Sequence, residues 1–318
     1  MDGAAGMSTL TMQNVPDLAA PPPQTLWRRF LEWGGVNYLF ILPALAVYVA
    51  VILTPIVMGT GYAFTDWDGL RQVVNYNGLD NFRRMFNDVQ VRSAIATTLI
   101  IALSLVVVKV SLGLVLALVV NANLKMRNWL RLVFFMPVVL TPIIVSYLWK
   151  YIFSNNGTLN TLLKLAGLDP LHWLGDPTLA LVSVIVVTSW QSIGLSMVIF
   201  LAGLQAVPPE LEEAATIDGA TPLQRIWHVT LPMLAPAMTI CVVIALIQGL
   251  RFFDQIYALT RGGPGYATET LSTMIYRISF QFGEFSYGAA VALAFSLIVA
   301  VIVLPVMQFL RRREFAHG

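Results

Sequence analysis

Along the chain, apolar residues fall in long runs separated by short polar clusters, without the strict alternation of strands. A bilayer-crossing helix needs about 20 mostly apolar residues, because its backbone groups must bond within the segment. Six stretches qualify: Tyr38 to Ala63, Ile95 to Val120, Leu130 to Phe153, Leu179 to Leu204, Met233 to Phe253 and Tyr287 to Leu310. The pattern predicts an all-α polytopic membrane protein with six transmembrane helices. Pro43, Pro55, Pro137, Pro142 and Pro236 lie within these runs and are expected to kink the helices, not end them, because neighbouring helices re-satisfy freed carbonyls.

The connections predict sidedness. Residues 1–35 form a polar tail carrying Pro21, Pro22 and Pro23 and then Trp27, Arg28 and Arg29. The span that follows is too long for a signal-peptide core and is expected to be retained. Arg28 and Arg29, then Lys125, Arg127 and Arg131, then Arg311 to Arg313 all fall on one side, which by the positive-inside rule places both termini in the cytoplasm. On the opposite side, Arg71, Arg83, Arg84 and Arg92 are accompanied by Asp66, Asp68, Asp80 and Asp88. The domain division expected is therefore a tail (1–35), a membrane domain (36–311) and a short cytoplasmic end (312–318). Leu79, Phe82, Met85, Phe86 and Val89 recur at helical spacing after the first span, with Asp80 as N-cap. That short helix either lies on the outer membrane face or packs on loops.

Composition agrees: 57% of residues are hydrophobic and 11% charged, with a mean hydropathy of +0.74, too few charges for a soluble surface of this size. The formal net charge of +2 and the lack of a long basic tract exclude a nucleic-acid footprint. Cys241 is the single cysteine, so no intrachain disulfide forms, and His172, His228 and His317 lack ligand spacing, so no metal site is expected. A phosphate-binding loop needs glycine before its lysine, and none of Lys109, Lys125, Lys150 and Lys164 follows one. ATP must be used by a partner if it is used at all. No nucleophile has a base within reach, since His172 and His228 fall on opposite sides of the membrane, so no catalytic residue is expected.

The most informative connection is 207–232, between the fourth and fifth spans. Pro209 suits a first helical position, Glu210, Glu212 and Glu213 fill the acidic first turns, and Gly219 can adopt the left-handed conformation that ends a helix. Thr221, Pro222 and Gln224 then spell an N-cap, a first helical position and a capping box. Ala214 and Ala215 let another surface approach closely. Such a hairpin serves either as a docking knob or as a plain connection between spans.

Glu213-Ala214-Ala215, Gly219 and Val229-Thr230-Leu231-Pro232 resemble the EAA loop of binding-protein-dependent import permeases; where Val229 stands the family usually has isoleucine. Asn77-Gly78-Leu79-Asp80-Asn81-Phe82, and Phe253-Asp254-Gln255-Ile256-Tyr257-Ala258-Leu259-Thr260-Arg261-Gly262-Gly263-Pro264, resemble its carbohydrate branch, specifically the larger maltose-type membrane subunit. The resemblance spans about Tyr38 to Leu310. It implies a type I importer permease fold in a prokaryotic cytoplasmic membrane, paired with a second permease subunit, two copies of an ATP-binding subunit that use ATP and Mg, and an outer sugar-binding protein. It further implies that Glu213, Ala214, Ala215, Asp218 and Gly219 couple the chain to the ATPase.

A sugar path needs amides, hydroxyls and aromatic rings at bilayer depth. Thr188, Trp190, Gln191 and Ser192 in the fourth span, and Gln248, Arg251, Phe252 and Phe253 in the fifth, offer them. By the maltose-type resemblance, the sugar contacts fall on Thr188, Gln191, Ser192, Leu195, Ala245, Gln248, Gly249 and Phe252. Leu195, Ala245 and Gly249 depart from the family pattern, and helix packing is the competing role for the whole set. Lys109 is a charge inside the second span without an evident acidic mate, either a structural or snorkelling side chain or a substrate contact. Arg251 and Asp254 are spaced to pair with each other. A permease for glycerol phosphate or another polyol derivative is the alternative substrate reading. An ion-coupled carrier or channel is the alternative class, but it calls for intramembrane carboxylates that the spans lack, apart from Asp254 at an edge.

Overall fold

The computed structural model describes residues 35–122 and 125–314. The proline-rich tail, the Arg28–Arg29 flank and the final residues with His317 lie outside the described residues. All regular elements among the described residues are helical, apart from a single bridge between Thr65 and Tyr76. Two compact units are present, one ending at Val57 and one starting at Met58. In the first, α1 (Gly35–Tyr48) passes through a wide π-helical turn, Val49–Leu53, into α2 (Thr54–Tyr62), whose last five residues belong to the second. Pro55 has no N–H for the carbonyl four residues back, and its ring crowds that carbonyl, so the helix widens there. Across the wide turn the Val49 carbonyl accepts both the Thr54 N–H and, at 3.0 Å, Thr54 Oγ1.

The second unit contains α3 (Asp80–Asn87), α4 (Val89–Asn121), α5 (Arg127–Val139), α6 (Pro142–Ile152), α7 (Thr158–Leu165), α8 (Pro177–Gln205) and α9 (Pro209–Ile217). It continues through α10 (Pro222–Arg225), α11 (Leu231–Met233), α12 (Ala235–Leu250), α13 (Asp254–Leu259), α14 (Leu271–Tyr276) and α15 (Phe285–Glu314). Among the described residues, four helices are long and apolar enough to cross a membrane alone: Phe40–Tyr62, Val89–Asn121, Pro177–Gln205 and Phe285–Arg312. The other two expected spans are broken. Arg127–Val139 and Pro142–Ile152 meet at 101°, and Pro222–Met233 and Ala235–Leu250 at 69°. Pro142 and Pro236 therefore do not kink continuous helices as expected but sit in the first turns of new ones. Proline drives the preceding residue to extended backbone, which Thr141 adopts, and then fits the helix start. Pro43 and Pro137 do remain inside helices.

The short helix α3 forms where expected, but Leu79 is its N-cap and Asp80 opens its first turn. Asp88 caps instead, accepting from Gln90 N at 2.8 Å to start α4. Of the apolar stripe, Met85 is buried against Val91, Leu271 and Tyr287, whereas Leu79, Phe86 and Val89 are exposed. The helix thus packs both on the ends of its helical neighbours and on the loop after α2, where Asn81 Nδ2 donates to the Ala63 and Thr65 carbonyls at 2.9 Å.

The unit is built on α4, which packs along α8 and α12. Lipid tails are as apolar as leucine, so helices associate through close packing, and small residues mark the seams. A Cβ on Gly249 would lie 2.6 Å from Ala102 Cα, and one on Gly113 would lie 2.5 Å from Ser196 Cβ. Below these crossings, Ala117, Val120, Met197, Phe200 and Leu234 form a fully buried cluster. Outside the spans, Arg277 makes a double hydrogen bond to Glu269 at 2.7 and 2.8 Å and a third to Gln90 at 3.0 Å. Burial raises the Glu269 carboxyl above its ordinary value, and the Arg277 guanidinium opposes that shift.

Because the Gly249 contact is with backbone that cannot swing away, Gly249→Val should cost about 1–3 kcal/mol in overpacking. A thermal unfolding series on the detergent-purified protein reads this as a lowered midpoint; an unchanged midpoint would mean α4 and α12 do not approach this closely.

Candidate functional site

Two places carry polar groups in arrangements that packing alone does not require: the 207–232 connection and a cavity beside the break between α5 and α6. In the connection, α9 ends in a left-handed glycine motif. Gly219 has φ +78, its N–H bonds Thr216 O at 3.1 Å, and Ala220 N–H bonds Ala215 O at 2.9 Å, so the last carbonyls of α9 are satisfied. The capping box forms as the sequence spells it: Thr221 N–H donates to Gln224 Oε1 at 2.8 Å and Gln224 N–H to Thr221 Oγ1 at 3.4 Å. Arg225 Nη1 donates to Thr216 Oγ1 at 2.8 Å and ties the second helix to the first.

The hairpin is therefore rigid, yet it is exposed. Glu213, Ala214, Asp218 and Gly219 are exposed and Ala215 is half-buried. Ile217, Leu223 and Trp227 turn large apolar side chains outward, at 86%, 65% and 62% exposure. A hollow of about 380 Å³, lined by Ala215, Asp218, Gly219, Gln224, Arg225 and His228, lies between its two arms. Rigid backbone, an acidic first turn and uncovered apolar side chains together make a surface ready for a protein partner. The Arg225 tie and the exposed Ile217, Leu223 and Trp227 went unnoticed in the sequence, since no periodicity distinguishes them from residues facing the protein.

The cavity, about 480 Å³, is walled by Thr188, Gln191, Ser192 and Leu195 of α8, by Gln248, Arg251 and Phe252 at the end of α12, and by Phe253, Asp254 and Gln255. Six of the eight residues expected on the path thus share one wall. Ala245 and Gly249 are off it: Ala245 is buried, and Gly249 presses on Ala102, where its lack of a side chain lets α12 cross α4 closely. Trp190 points elsewhere and meets Trp149 edge-on at 5.5 Å. Arg251 and Asp254 both face the cavity, and the ion pair expected between them is not made: the ion pairs among the described residues are Arg71–Asp68, Arg83–Asp80, Arg84–Glu284 and Arg277–Glu269.

Gln255, Val138 and Pro142 also line the cavity, and only the break explains why. Where α5 stops, the Leu140 carbonyl loses its helical partner, and Gln191 Nε2 donates to it at 2.7 Å. Gln255 Nε2 donates in turn to Gln191 Oε1, and Thr188 Oγ1 lies 2.8 Å from Gln255 Oε1. Irregular backbone at membrane depth survives only where protein or a cavity satisfies it. Lys109 also has a partner that its lack of an acidic mate concealed: its Nζ donates to Gln248 Oε1 at 2.5 Å.

Residues 109–314 match the family described as binding-protein-dependent transport system inner membrane component. The multiple sugar-binding transport system permease protein MsmF of Streptococcus mutans is 34% identical over 284 residues, 89% of this chain and 96% of that protein. The trehalose/maltose transport system permease protein MalF of Thermococcus litoralis is 34% identical over 286 residues, 87% of this chain and 95% of that protein. Among solved structures, a bacterial ABC transporter involved in importing the acidic polysaccharide alginate superposes with a TM-score of 0.80 at 27% identity, covering 90% of this chain and 98% of that one.

If Gln191 is the group that satisfies the broken span, Gln191→Leu leaves both the Leu140 carbonyl and the Gln255 amide without partners. The expected loss is about 1–3 kcal/mol per orphaned group, read as a lowered unfolding midpoint in lipid. An unaltered midpoint would place the satisfaction of Leu140 elsewhere.

Proposed function

The chain belongs to the family of binding-protein-dependent transport system inner membrane components, and from this premise we propose that it forms the membrane path of an ATP-driven importer for a di- or oligosaccharide. It is a multi-pass permease subunit and not itself an enzyme. ATP hydrolysis falls to two partner ATP-binding subunits, a second permease subunit completes the path, and an outer binding protein delivers the sugar. Both termini and the 207–232 connection face the cytoplasm of a prokaryotic cell.

The observation that carries the sugar reading is the cavity wall. Thr188, Gln191, Ser192, Gln248 and Gln255 supply hydroxyls and amides beside Phe252 and Phe253, within helices that are otherwise apolar. Such a wall suits a ligand with many hydroxyls and apolar ring faces. Its two charged residues, Arg251 and Asp254, cancel, which favours a neutral sugar over glycerol phosphate.

In the mechanism proposed, ATP binding closes the partner ATPases, the hairpin passes the closure on, and α8 and α12, which flank it, open the path outward. Hydrolysis resets it inward. The hairpin shifts this equilibrium only in so far as it binds the closed and open ATPases with different affinity.

The purified complex in lipid, with its binding protein, should show ATPase stimulation by at least one of maltose, trehalose or lactose and none by glycerol phosphate. Stimulation by glycerol phosphate alone would overturn the sugar reading. Separately, Glu213→Lys or Gly219→Asp should insert at normal levels yet lose most stimulated ATPase and uptake. Normal uptake by a well-expressed variant would remove the hairpin from the coupling.

A further inference from the structure

Three glutamines surround the cavity, and they differ in what their amides have left to offer. Gln191 is engaged at both ends, donating to Leu140 O and accepting from Gln255. Gln255 is likewise engaged, donating to Gln191 and facing Thr188 Oγ1 through its oxygen. Gln248 is engaged at one end only: Oε1 accepts from Lys109 Nζ, and Nε2 has no hydrogen-bond partner among the described residues. Lys109 itself is 2% exposed, and Gln248 Oε1 is its hydrogen-bond partner.

An ammonium group only donates, so it must face the amide oxygen. That choice removes the ambiguity of an amide that otherwise flips to suit its surroundings, and it leaves the NH2 end for the cavity that Gln248 lines. We infer that Lys109 is a positioning residue, which locks Gln248 as a hydrogen-bond donor toward an acceptor oxygen of the transported sugar. The substrate class rests on the sugar reading above; the lock does not. A buried charge at membrane depth is costly unless it has a task or a partner, and here a neutral amide is the partner and orientation of a cavity group is the task. The close crossing at Gly249, next to Gln248, brings α12 near enough to α4 for the contact.

The discriminating variant is Gln248→Glu, made in the full complex. A glutamate keeps a partner for Lys109 but has no N–H for the cavity. Positioning predicts that Gln248→Glu retains its unfolding midpoint while the KM for the stimulating sugar of the panel rises about tenfold, the worth of one hydrogen bond, with kcat changing less. Lys109→Met should raise KM to a similar degree, and adding Gln248→Leu to Lys109→Met should raise it no further. A Gln248→Glu complex with wild-type KM, or KM effects that multiply in the double variant, would reduce Lys109 to helix packing and overturn the inference.

Thermal unfolding of Gln248→Glu, with lysine and then methionine at 109, supplies a readout that needs no sugar. The lock predicts a much larger loss of midpoint in the methionine background, whereas equal losses would overturn it. Failure of every panel sugar to stimulate the wild-type complex would thus defeat the sugar reading while the unfolding cycle still decided the lock.

Discussion

Everything near the centre of this protein follows from one constraint: in hydrocarbon, a backbone carbonyl without a partner is intolerable. The third span violates helical continuity at Leu140 and Thr141, and the protein answers by bringing Gln191 from α8 to the stranded Leu140 carbonyl. Once Gln191 is committed there, its own oxygen must be satisfied, which recruits Gln255, and Gln255 faces Thr188. A break that makes room for a cavity thereby also furnishes its polar wall. The same residues would serve a sugar and hold the fold, so substitutions at Gln191 cannot be read as affinity effects without a stability control.

In the mechanism proposed, the connectivity gives this cavity its link to an energy source. α8 carries Thr188 through Leu195 and ends at Gln205, and the hairpin begins four residues later at Pro209. Ser192 stands about 20 Å along the helix axis from that end. After the hairpin, the chain bends at Leu234 and enters α12, which reaches the cavity at Gln248. A rigid hairpin fixed by the Gly219 motif, the Thr221 capping box and the Arg225 tie therefore sits directly between the two helices that form most of the wall. Displacing it acts on both walls, on α8 through the three residues 206–208 and on α12 through α11 and the bend at Leu234.

Most of the architecture was legible in residue order because long apolar runs have few alternatives. The cap chemistry of the 207–232 hairpin was equally legible, since Pro209, Gly219, Thr221 and Gln224 act on neighbours within a few residues. What escaped depends on distant partners. Pro142 and Pro236 look like tolerated kinks in a linear reading, and only the packing around Leu140 and Leu234 decides that they open new helices. Asp80 was read as a cap because it precedes an apolar stripe, while the cap that forms is Asp88, one element on. A family pattern puts Ala245 and Gly249 on the path by position alone, whereas Gly249 is held against Ala102 of α4 and Ala245 is buried off the cavity wall. Lys109 has no carboxylate mate along the sequence, and its partner is an amide on another helix, which no local spacing announces.

The claim beneath all of this is that the chain builds a path and leaves energy conversion to others. Uptake of a radiolabelled sugar into proteoliposomes tests it most directly, with this chain reconstituted alone and then with the second permease, the ATP-binding subunits and the binding protein. The account predicts uptake only from the full assembly and only with ATP on the side of the ATP-binding subunits. Uptake by the chain alone, driven by an ion gradient or by the sugar gradient itself, would contradict it.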